Sequence, residues 1–340
     1  MKRASQLLEK VADPDNLRLA CWKAGKGKRY AGEVLAYGSH LEQNLARLRG
    51  QILSGEVQVG HYRYFKIYEP KERQICASAF SEQVLHHALM NVCHPHFERV
   101  QIFDSYASRK GKGTYAAIER AKIFTRYHPW FLKLDVRKFF ESVHHDVLKA
   151  QLARMFKDRP LLDVFGKIID SYTASPARGM PIGNLTSQYF ANHYLAGLDH
   201  FIKEKLGLHA YVRYMDDMVL WHADKRALKN AHTEISQFVS QNLHCSLKPE
   251  LLNQSSCGLP FLGYSIFPHQ LRLTRQSKRR FIRKIKIVEE GYHSGDWDEE
   301  KCQRRVLPLL AFAGHAHTKR LREKLFSPTI KDNGQRAITA

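Results

Sequence analysis

The sequence predicts an α+β fold, because helix and strand patterns surround one central hairpin. Two short apolar runs at residues 211–214 and 218–221 flank Asp216 and Asp217, which indicates a β-hairpin with acids at its tip. A further apolar strand is predicted at residues 131–136, which include Asp135. Apolar residues recur at helical spacing on both sides of the hairpin. Strands set between helices in this way favour an α+β arrangement.

The first half of the chain shows a helical region, then strands, then a helix. Residues 1–60 are predicted to be mostly helical, with a basic break at residues 23–29. Strand-like stretches follow at residues 61–68 and 73–77. The next helix is predicted from apolar residues at helical spacing, namely Val84, Leu85, Ala88, Leu89 and Val92.

The second half has two helices around the hairpin and then a basic segment. A helix is predicted to begin after Ser187 and to end at Gly207, with Phe190, Tyr194, Leu198, Phe201, Ile202 and Leu206 on one face. Asp224 is the expected N-cap of the helix that carries Leu228, Ala231, Ile235, Phe238 and Val239. After Pro268 a basic helix is predicted over residues 272–286, and apolar Leu307, Leu309, Leu310 and Phe312 follow.

Composition indicates a polyanionic partner. The chain has 340 residues, with 54 Lys plus Arg against 33 Asp plus Glu, for a formal net charge of +21. Such an excess favours binding to phosphates with release of counterions. Six cysteines without a CxxC pair indicate a reducing compartment and no structural zinc. Because no signal peptide or long apolar run is found, we expect a cytoplasmic protein with no membrane partner.

Asp135, Asp216 and Asp217 are the candidate catalytic and metal-binding residues. Adjacent carboxylates repel each other unless a cation lies between them, and Mg²⁺ prefers such oxygen ligands. Two Mg²⁺ ions about 4 Å apart can stabilise the attacking and the leaving oxygen of a phosphoryl transfer. The sequence therefore predicts polymerase-type chemistry with two Mg²⁺ ions, for which Mn²⁺ could substitute.

Four motifs in chain order resemble the palm of a reverse transcriptase. They are FLKLDVRKFF at 131–140, GMPIGNLTSQ at 179–188, YMDD at 214–217 and FLGY at 261–264. The resemblance implies a right-hand polymerase whose antiparallel palm sheet carries the YMDD hairpin. It implies RNA-templated addition of deoxynucleotides to a 3′-OH, with release of pyrophosphate. The implied domains are an N-terminal helical extension at 1–60, fingers at 61–134, a palm at 135–268 with an interleaved fingers segment at about 141–178, and a thumb at 269–340.

The resemblance also implies a set of substrate contacts. Phe140 would collide with a ribose 2′-OH, and Lys248 would protonate the departing pyrophosphate, although its Leu-Lys-Pro-Glu context departs from the usual order. The other residues expected at the nucleotide and template are Lys71, Arg73, Arg109, Val136 (also at the metal), Ile182, Gly183, Ser187 and Gln188. Those expected at the primer or duplex are Phe261, Leu262, Gly263, Arg279 and Arg283. Plainer alternatives are solvated surface for the basic residues and core packing for Phe140 and the FLGY motif.

The GMPIGNLTSQ motif has an apolar residue, Ile182, before its second Gly and ends in Ser-Gln. In this form it most resembles the motif of reverse transcriptases from diversity-generating retroelements in bacteria and phages. That resemblance implies frequent errors at template adenines and an accessory basic protein, which could be an oligomer. The expected partners are a template RNA, an RNA–DNA hybrid and dNTPs. An antiviral-defence or group II intron-like enzyme, with a dedicated structured non-coding RNA, is the alternative. A catalytically silent RNA-binding scaffold is a third hypothesis, against which the intact Asp135, Asp216 and Asp217 argue.

Overall fold

The computed structural model describes residues 4–68 and 72–326. Packing divides the chain into two compact units. The first unit comprises Met1–Gly113, Leu132–Leu220 and Arg226–Leu251. The second unit comprises Thr114–Phe131, Trp221–Lys225 and Leu252–Ala340.

Helices make up most of the regular structure. In chain order they are α1 Leu8–Val11, α2 Pro14–Gly25, α3 Gly32–Gly38, α4 Leu41–Ser54, α5 Phe80–Arg99, α6 Thr114–Tyr127, α7 Phe139–Ser142, α8 His145–Met155, α9 Arg159–Asp170, α10 Leu185–His200, α11 Lys225–Leu243, α12 Arg275–His293, α13 Glu299–Gly314 and α14 Lys319–Phe326. The helical character predicted for residues 1–60 is thus confirmed by α1–α4. Across the described ranges, no helix is both long enough and apolar enough to cross a bilayer.

The strands form three sheets. They are β1 Tyr62–Ile67, β2 Arg73–Ser78, β3 Trp130–Asp135, β4 Tyr211–Tyr214, β5 Asp217–His222, β6 Leu251–Gln254, β7 Leu259–Phe261, β8 Tyr264–Phe267 and β9 Gln270–Leu273. Strands β1 and β2 form an antiparallel pair, which confirms the two strand-like stretches. The order in the four-stranded sheet is β4-β5-β3-β6, and the third sheet is β7-β8-β9.

Helix ends in the first unit follow from local capping. The Asp13 carboxylate accepts hydrogen bonds from the backbone N–H groups of Asp15 and Asn16, at 3.0 and 3.1 Å, and caps α2. Asp158 caps α9 through the N–H of Leu161 at 3.3 Å. Its other oxygen accepts the N–H of Leu7 at 2.6 Å. One carboxylate therefore joins the start of α9 to the start of α1.

Aromatic rings form the centre of the first unit. Phe97 of α5 packs edge-on against Phe156 and Phe165, with ring centroids 5.7 and 6.4 Å away. Phe165 in turn lies 5.4 Å from Phe190 of α10. These contacts fix the position of α10. This helix begins at Leu185 rather than after Ser187, and Thr186 and Ser187 in its first turn are buried.

The end of α10 agrees with the expectation for Gly207. The helix continues as one π-helical turn at Phe201–Lys205. Gly207 then has a φ of +66°, a left-handed conformation in which glycine has no Cβ penalty. The following helix α11 begins directly after Asp224, at Lys225, as predicted.

The second unit packs around Phe281 and Ile285 of α12 and Ala313 of α13. The basic helix begins at Arg275, not at Arg272, because the Thr274 hydroxyl accepts the N–H of Ser277 and caps it. Arg272 instead lies in β9. Among the predicted apolar residues of α13, Leu309 and Leu310 pack on this core, as does Leu321 of α14, whereas Leu307 is 62% exposed.

His193 is a buried histidine that should make the fold sensitive to acid. It is 8% exposed and lies 5.6 Å from the Phe97 ring. Burial lowers the pKa of His193 from 6.5 to about 4. The folded state thus binds this proton more weakly than the unfolded state. We expect the free energy of unfolding to fall by about 3 kcal/mol as pH drops from 6.5 to 4.

The His193→Phe variant should lose this part of the acid sensitivity, because Phe keeps a ring in the aromatic core but cannot be protonated. Denaturant unfolding at several pH values between 7 and 4.5 measures the effect. His209→Phe at an exposed position is the control. Equal acid sensitivity in wild type and His193→Phe would contradict the assignment.

Candidate active site

The turn between β4 and β5 holds two of the three candidate carboxylates. The strands pair from Tyr211 opposite Leu220 to Tyr214 opposite Asp217. Met215 and Asp216 form the two-residue turn, in which Met215 has a φ of +57°. The predicted hairpin with acids at its tip is therefore confirmed.

Asp135 lies at the end of β3, the strand next to β5. The three carboxylates consequently meet at one edge of the sheet. Burial, followed by the negative charge of Asp135, raises the pKa of Asp216. Burial also raises the pKa of Asp217 to about 6, although Lys133 acts in the opposite direction. Both shifts disfavour the charged forms of these two acids.

Two lysines partly neutralise this cluster. Lys248 Nζ lies 2.6 Å from Asp135 Oδ1, and the Lys248 N–H donates to the Asp135 carbonyl at 2.8 Å. Lys133 Nζ lies 3.0 Å from Asp217 Oδ2. Lys248 was predicted at this site and Lys133 was not. The signal for Lys133 is its position two residues before Asp135, which places both side chains on the same face of β3.

The donor set fits a divalent cation in its chemistry. The group consists of carboxylates, the ligands that Mg²⁺ prefers. Asp217 Oδ1 is buried without a hydrogen-bond partner in the described chain, and burial followed by the charge of Asp135 raises the pKa of Asp216. Over residues 4–68 and 72–326, however, no three acidic, His or Cys side chains already converge as a metal site. Asp135 and Asp217 would have to share their oxygens between a lysine and the cation.

Arg213 and Asp199 form a buried ion pair beneath the hairpin, and sequence reasoning missed both. Arg213 Nη2 lies 2.6 Å from Asp199 Oδ2, and both side chains are fully buried. Arg213 Nη1 also donates to the carbonyl of Met215 at 3.0 Å. The available signal was a charge inside an otherwise apolar strand, since such residues are seldom buried unless paired.

Two adjacent phenylalanines after β3 differ in burial. The chain turns at Lys138, which has a φ of +46°, into the short helix α7. Phe139 is 3% exposed and belongs to the core, whereas Phe140 is only half-buried. The Val136 side chain is fully buried, so this residue can offer only its backbone to a ligand.

The GMPIGNLTSQ motif lies against the β1–β2 hairpin. The Cys76 N–H donates to the Ile182 carbonyl at 2.8 Å. Gly183 has a φ of +131°, and a Cβ there would lie 2.8 Å from the Cys76 carbonyl oxygen. The close approach that requires glycine is thus to the backbone of β2. In the first turn of α10, Ser187 is buried and Gln188 is half-buried.

The three basic residues expected at the nucleotide differ in position. Arg73 is exposed at the start of β2. Lys71 lies outside the described residues. Arg109 is held by Glu98, with Nη2 to Oε1 at 2.5 Å, and its Nη1 donates to the carbonyls of Ile102 and Ser105, each at 2.6 Å. In this arrangement Arg109 braces a loop, and a contact with nucleotide would require release of the Glu98 pair.

In the second unit, the FLGY motif forms the tight turn between β7 and β8. Leu262 and Gly263 have φ values of +49° and +90°. A Cβ at Gly263 would lie 3.1 Å from Ser277 Oγ, so the turn packs closely on the start of α12. Phe261 is fully buried. Arg279 and Arg283 are exposed on the face of α12 opposite its apolar core.

Residues 69–266, more than half of the chain, match the family model for "Reverse transcriptase (RNA-dependent DNA polymerase)". The chain belongs to this reverse transcriptase family. The antiparallel strands, the acidic hairpin and the surrounding helices are therefore those of a right-hand polymerase fold, as predicted.

Curated relatives include a bacterial protein and a yeast intron protein. Protein YkfC of Escherichia coli strain K12 is 24% identical, over 60% of this chain and 58% of its own length. The putative COX1/OXI3 intron 2 protein of Saccharomyces cerevisiae is 24% identical, over 53% of this chain and 29% of its own length. The chain thus spans less than two thirds of these relatives.

A solved structure shows the same fold at low identity. The apo telomerase from Candida tropicalis superposes with a TM-score of 0.54 and 12% identity, covering 84% of this chain and 64% of that one. A Candida albicans telomerase in complex with a telomeric RNA fragment superposes with a TM-score of 0.50 and 12% identity, over 81% of this chain and 57% of that one.

Gly183→Ala should push the GMPIGNLTSQ segment away from strand β2. The added Cβ would collide with the Cys76 carbonyl, and alanine disfavours a φ of +131°. We expect a loss of roughly 1–3 kcal/mol of stability, measured by denaturant unfolding. Gly50→Ala in α4 is the control, because its Cβ meets nothing within 4 Å, and it should stabilise the protein by about 0.5–1 kcal/mol. Similar effects at the two positions would contradict the close approach.

Proposed function

We propose that this chain is an RNA-directed DNA polymerase that extends a 3′-OH with dNTPs on an RNA template. The observation that carries the proposal is the meeting of Asp135, Asp216 and Asp217 at one sheet edge in a chain of the reverse transcriptase family. The raised pKa values of Asp216 and Asp217 support it, because a polymerase site gathers negative charge for cations.

Asp135, Asp216 and Asp217 would hold two Mg²⁺ ions, or Mn²⁺ in their place, with the backbone of Val136 beside them. When bound, such ions stabilise charge on the attacking and leaving oxygens of phosphoryl transfer. Lys133 keeps Asp217 oriented through its 3.0 Å ion pair. Lys248, on Asp135 at 2.6 Å, is close enough to this edge to give a proton to departing pyrophosphate.

Other residues would bind and select the nucleotide. Arg73 is exposed and can pair with triphosphate oxygens, and Lys71 is proposed for the same role. The half-buried ring of Phe140 is available to exclude a ribose 2′-OH, since Phe139 already fills the core position. Ile182, Gly183, Ser187 and Gln188 would form the floor beneath template and nucleotide.

The nucleic acid would be an RNA template and its RNA–DNA hybrid. The net charge of +21 supports phosphate contacts, as do exposed Arg279 and Arg283. Leu262 and Gly263 would contact the primer from their turn, whereas Phe261, whose side chain is fully buried, could offer only its backbone. We propose the same division into N-terminal extension, fingers, palm and thumb that the sequence resemblance implies.

At a finer level we propose a diversity-generating retroelement enzyme that is error-prone at template adenines. Its support is Ile182, an apolar residue before Gly183 where a glutamine could hydrogen-bond near the base pair. A basic accessory protein and a cytoplasmic location belong to this proposal. The second candidate is an intron-like reverse transcriptase with a structured RNA, which the intron 2 protein among the relatives favours.

Asp216→Asn should lower primer extension on an RNA template by on the order of 100-fold or more, because the charge facing the cations is lost. RNA binding should stay near wild type, since the side-chain shape barely changes. Extension assays with Mg²⁺ and with Mn²⁺ give the rate, and filter binding gives RNA affinity. Asp163→Asn, an exposed aspartate of α9, is the matched control. Extension within a few-fold of wild type would overturn the metal-site assignment.

Ile182→Gln should reduce misincorporation opposite template adenine. A regained side-chain hydrogen bond is worth about 0.5–1.5 kcal/mol, or roughly a 2- to 13-fold change in discrimination. The substitution leaves the Ile182 carbonyl free to hold Cys76 as before. Deep sequencing of DNA copied from a defined RNA measures the error spectrum. Equal wild-type errors at all four template bases would remove the retroelement proposal while leaving polymerase activity intact.

A further inference from the structure

We infer that Arg213 is the positioning residue that fixes the backbone turn from which Asp216 and Asp217 project. This inference rests on the proposed function of those two carboxylates. It concerns a side chain that touches no substrate in the proposed reaction and acts through the carbonyl of Met215.

The Arg213 side chain has one fixed orientation. It is fully buried, and its Nε lies 2.8 and 3.0 Å from the two oxygens of Asp199. Nη2 adds a contact of 2.6 Å to Asp199 Oδ2. Asp199 also accepts the Tyr211 hydroxyl at 2.8 Å. Such a two-sided arginine–carboxylate pair sets the plane of the guanidinium as well as its position.

The backbone of Arg213 is also fixed, by two main-chain hydrogen bonds. Its N–H donates to the Asp104 carbonyl at 2.9 Å, and its carbonyl accepts the N–H of Tyr106 at 2.9 Å. The residue is therefore bound to the 104–106 segment on one side of β4 and to α10 through its side chain. Neither end can shift without breaking buried hydrogen bonds.

The remaining guanidinium nitrogen supports the turn. Nη1 donates to the Met215 carbonyl at 3.0 Å and to Asn192 Oδ1 at 3.0 Å. The Met215 carbonyl belongs to the peptide group that leads directly into Asp216. Met215 has a φ of +57°, a conformation that residues with a Cβ disfavour. Arg213 thus holds an intrinsically unfavourable turn in the one arrangement that presents both acids.

A purely structural ion pair is the alternative, because removing one partner of any buried pair destabilises a protein. The test therefore changes both partners together. Arg213→Met combined with Asp199→Asn leaves no unpaired charge but removes the donor to Met215. Asp199→Asn alone keeps that donor. Arg213→Lys keeps a charge opposite Asp199, while its single ammonium cannot also reach the Met215 carbonyl.

Two measurements distinguish positioning from stability. One is Mn²⁺ affinity of the full chain without nucleotide, followed by electron paramagnetic resonance. The other is kcat and KM for dNTP in primer extension. In the double variant we expect kcat and Mn²⁺ affinity each to fall by roughly 10- to 100-fold, with KM for dNTP changed by less than about 3-fold. Arg213→Lys should lower kcat and Mn²⁺ affinity in the same direction. Asp199→Asn, which keeps the donor to Met215 and one oxygen acceptor for the guanidinium, should lower them less than the double variant does.

Glu82→Gln provides the stability control. Glu82 is paired with His86 at 3.2 Å, and both side chains are buried. This variant should lower the melting temperature of the protein without lowering its affinity for Mn²⁺. Unchanged Mn²⁺ affinity and kcat in Arg213→Lys would overturn the inference even if the double variant does not fold. If wild type binds Mn²⁺ and the variants weaken it, but no polymerisation occurs, the proposed function fails and the positioning role stands.

Discussion

Repulsion among Asp135, Asp216 and Asp217 is the constraint on which the surrounding architecture depends. Burial makes the charged forms of Asp216 and Asp217 unfavourable, and the neighbouring carboxylates add to that cost. Two lysines partly neutralise these charges, because Lys248 pairs with Asp135 and Lys133 pairs with Asp217. Both lysines are partly exposed, so in the proposed reaction they could release these carboxylates to metal ions.

Rigid backbone around this edge offsets the electrostatic strain. Asp135 is joined to Lys248 by a main-chain hydrogen bond as well as by its carboxylate. The hairpin strands are paired up to the turn itself. Behind them, the aromatic core of the first unit fixes α10, which supplies Asn192 and Asp199 beneath the hairpin. Charge concentration at the edge is thus tolerated because the atoms that carry it cannot separate easily.

The sequence was sufficient for features encoded by near neighbours. Periodicity and turn chemistry predict the acidic hairpin and the strand ending in Asp135. They also predict that the helix containing α10 stops near Gly207 and that α11 starts after Asp224. It was insufficient where partners come from distant segments. Nothing near Arg109 in the chain indicates that Glu98 would occupy its guanidinium, and nothing near Arg213 names Asp199. Phe139 and Phe140 are chemically identical, so only packing could show which one is buried.

The contact between Gly183 and β2 has a consequence for motion. The Cys76–Ile182 hydrogen bond and the close passage at Gly183 join the β1–β2 hairpin to the segment that leads into α10. The exposed half of that hairpin carries Arg73, whereas its other half is tied to this segment. A displacement of the hairpin as a rigid body would therefore be transmitted to Ile182. In the proposed function, where Arg73 binds the triphosphate and Ile182 lies near the base pair, these two roles would be coupled through the Cys76–Ile182 hydrogen bond and the close passage at Gly183.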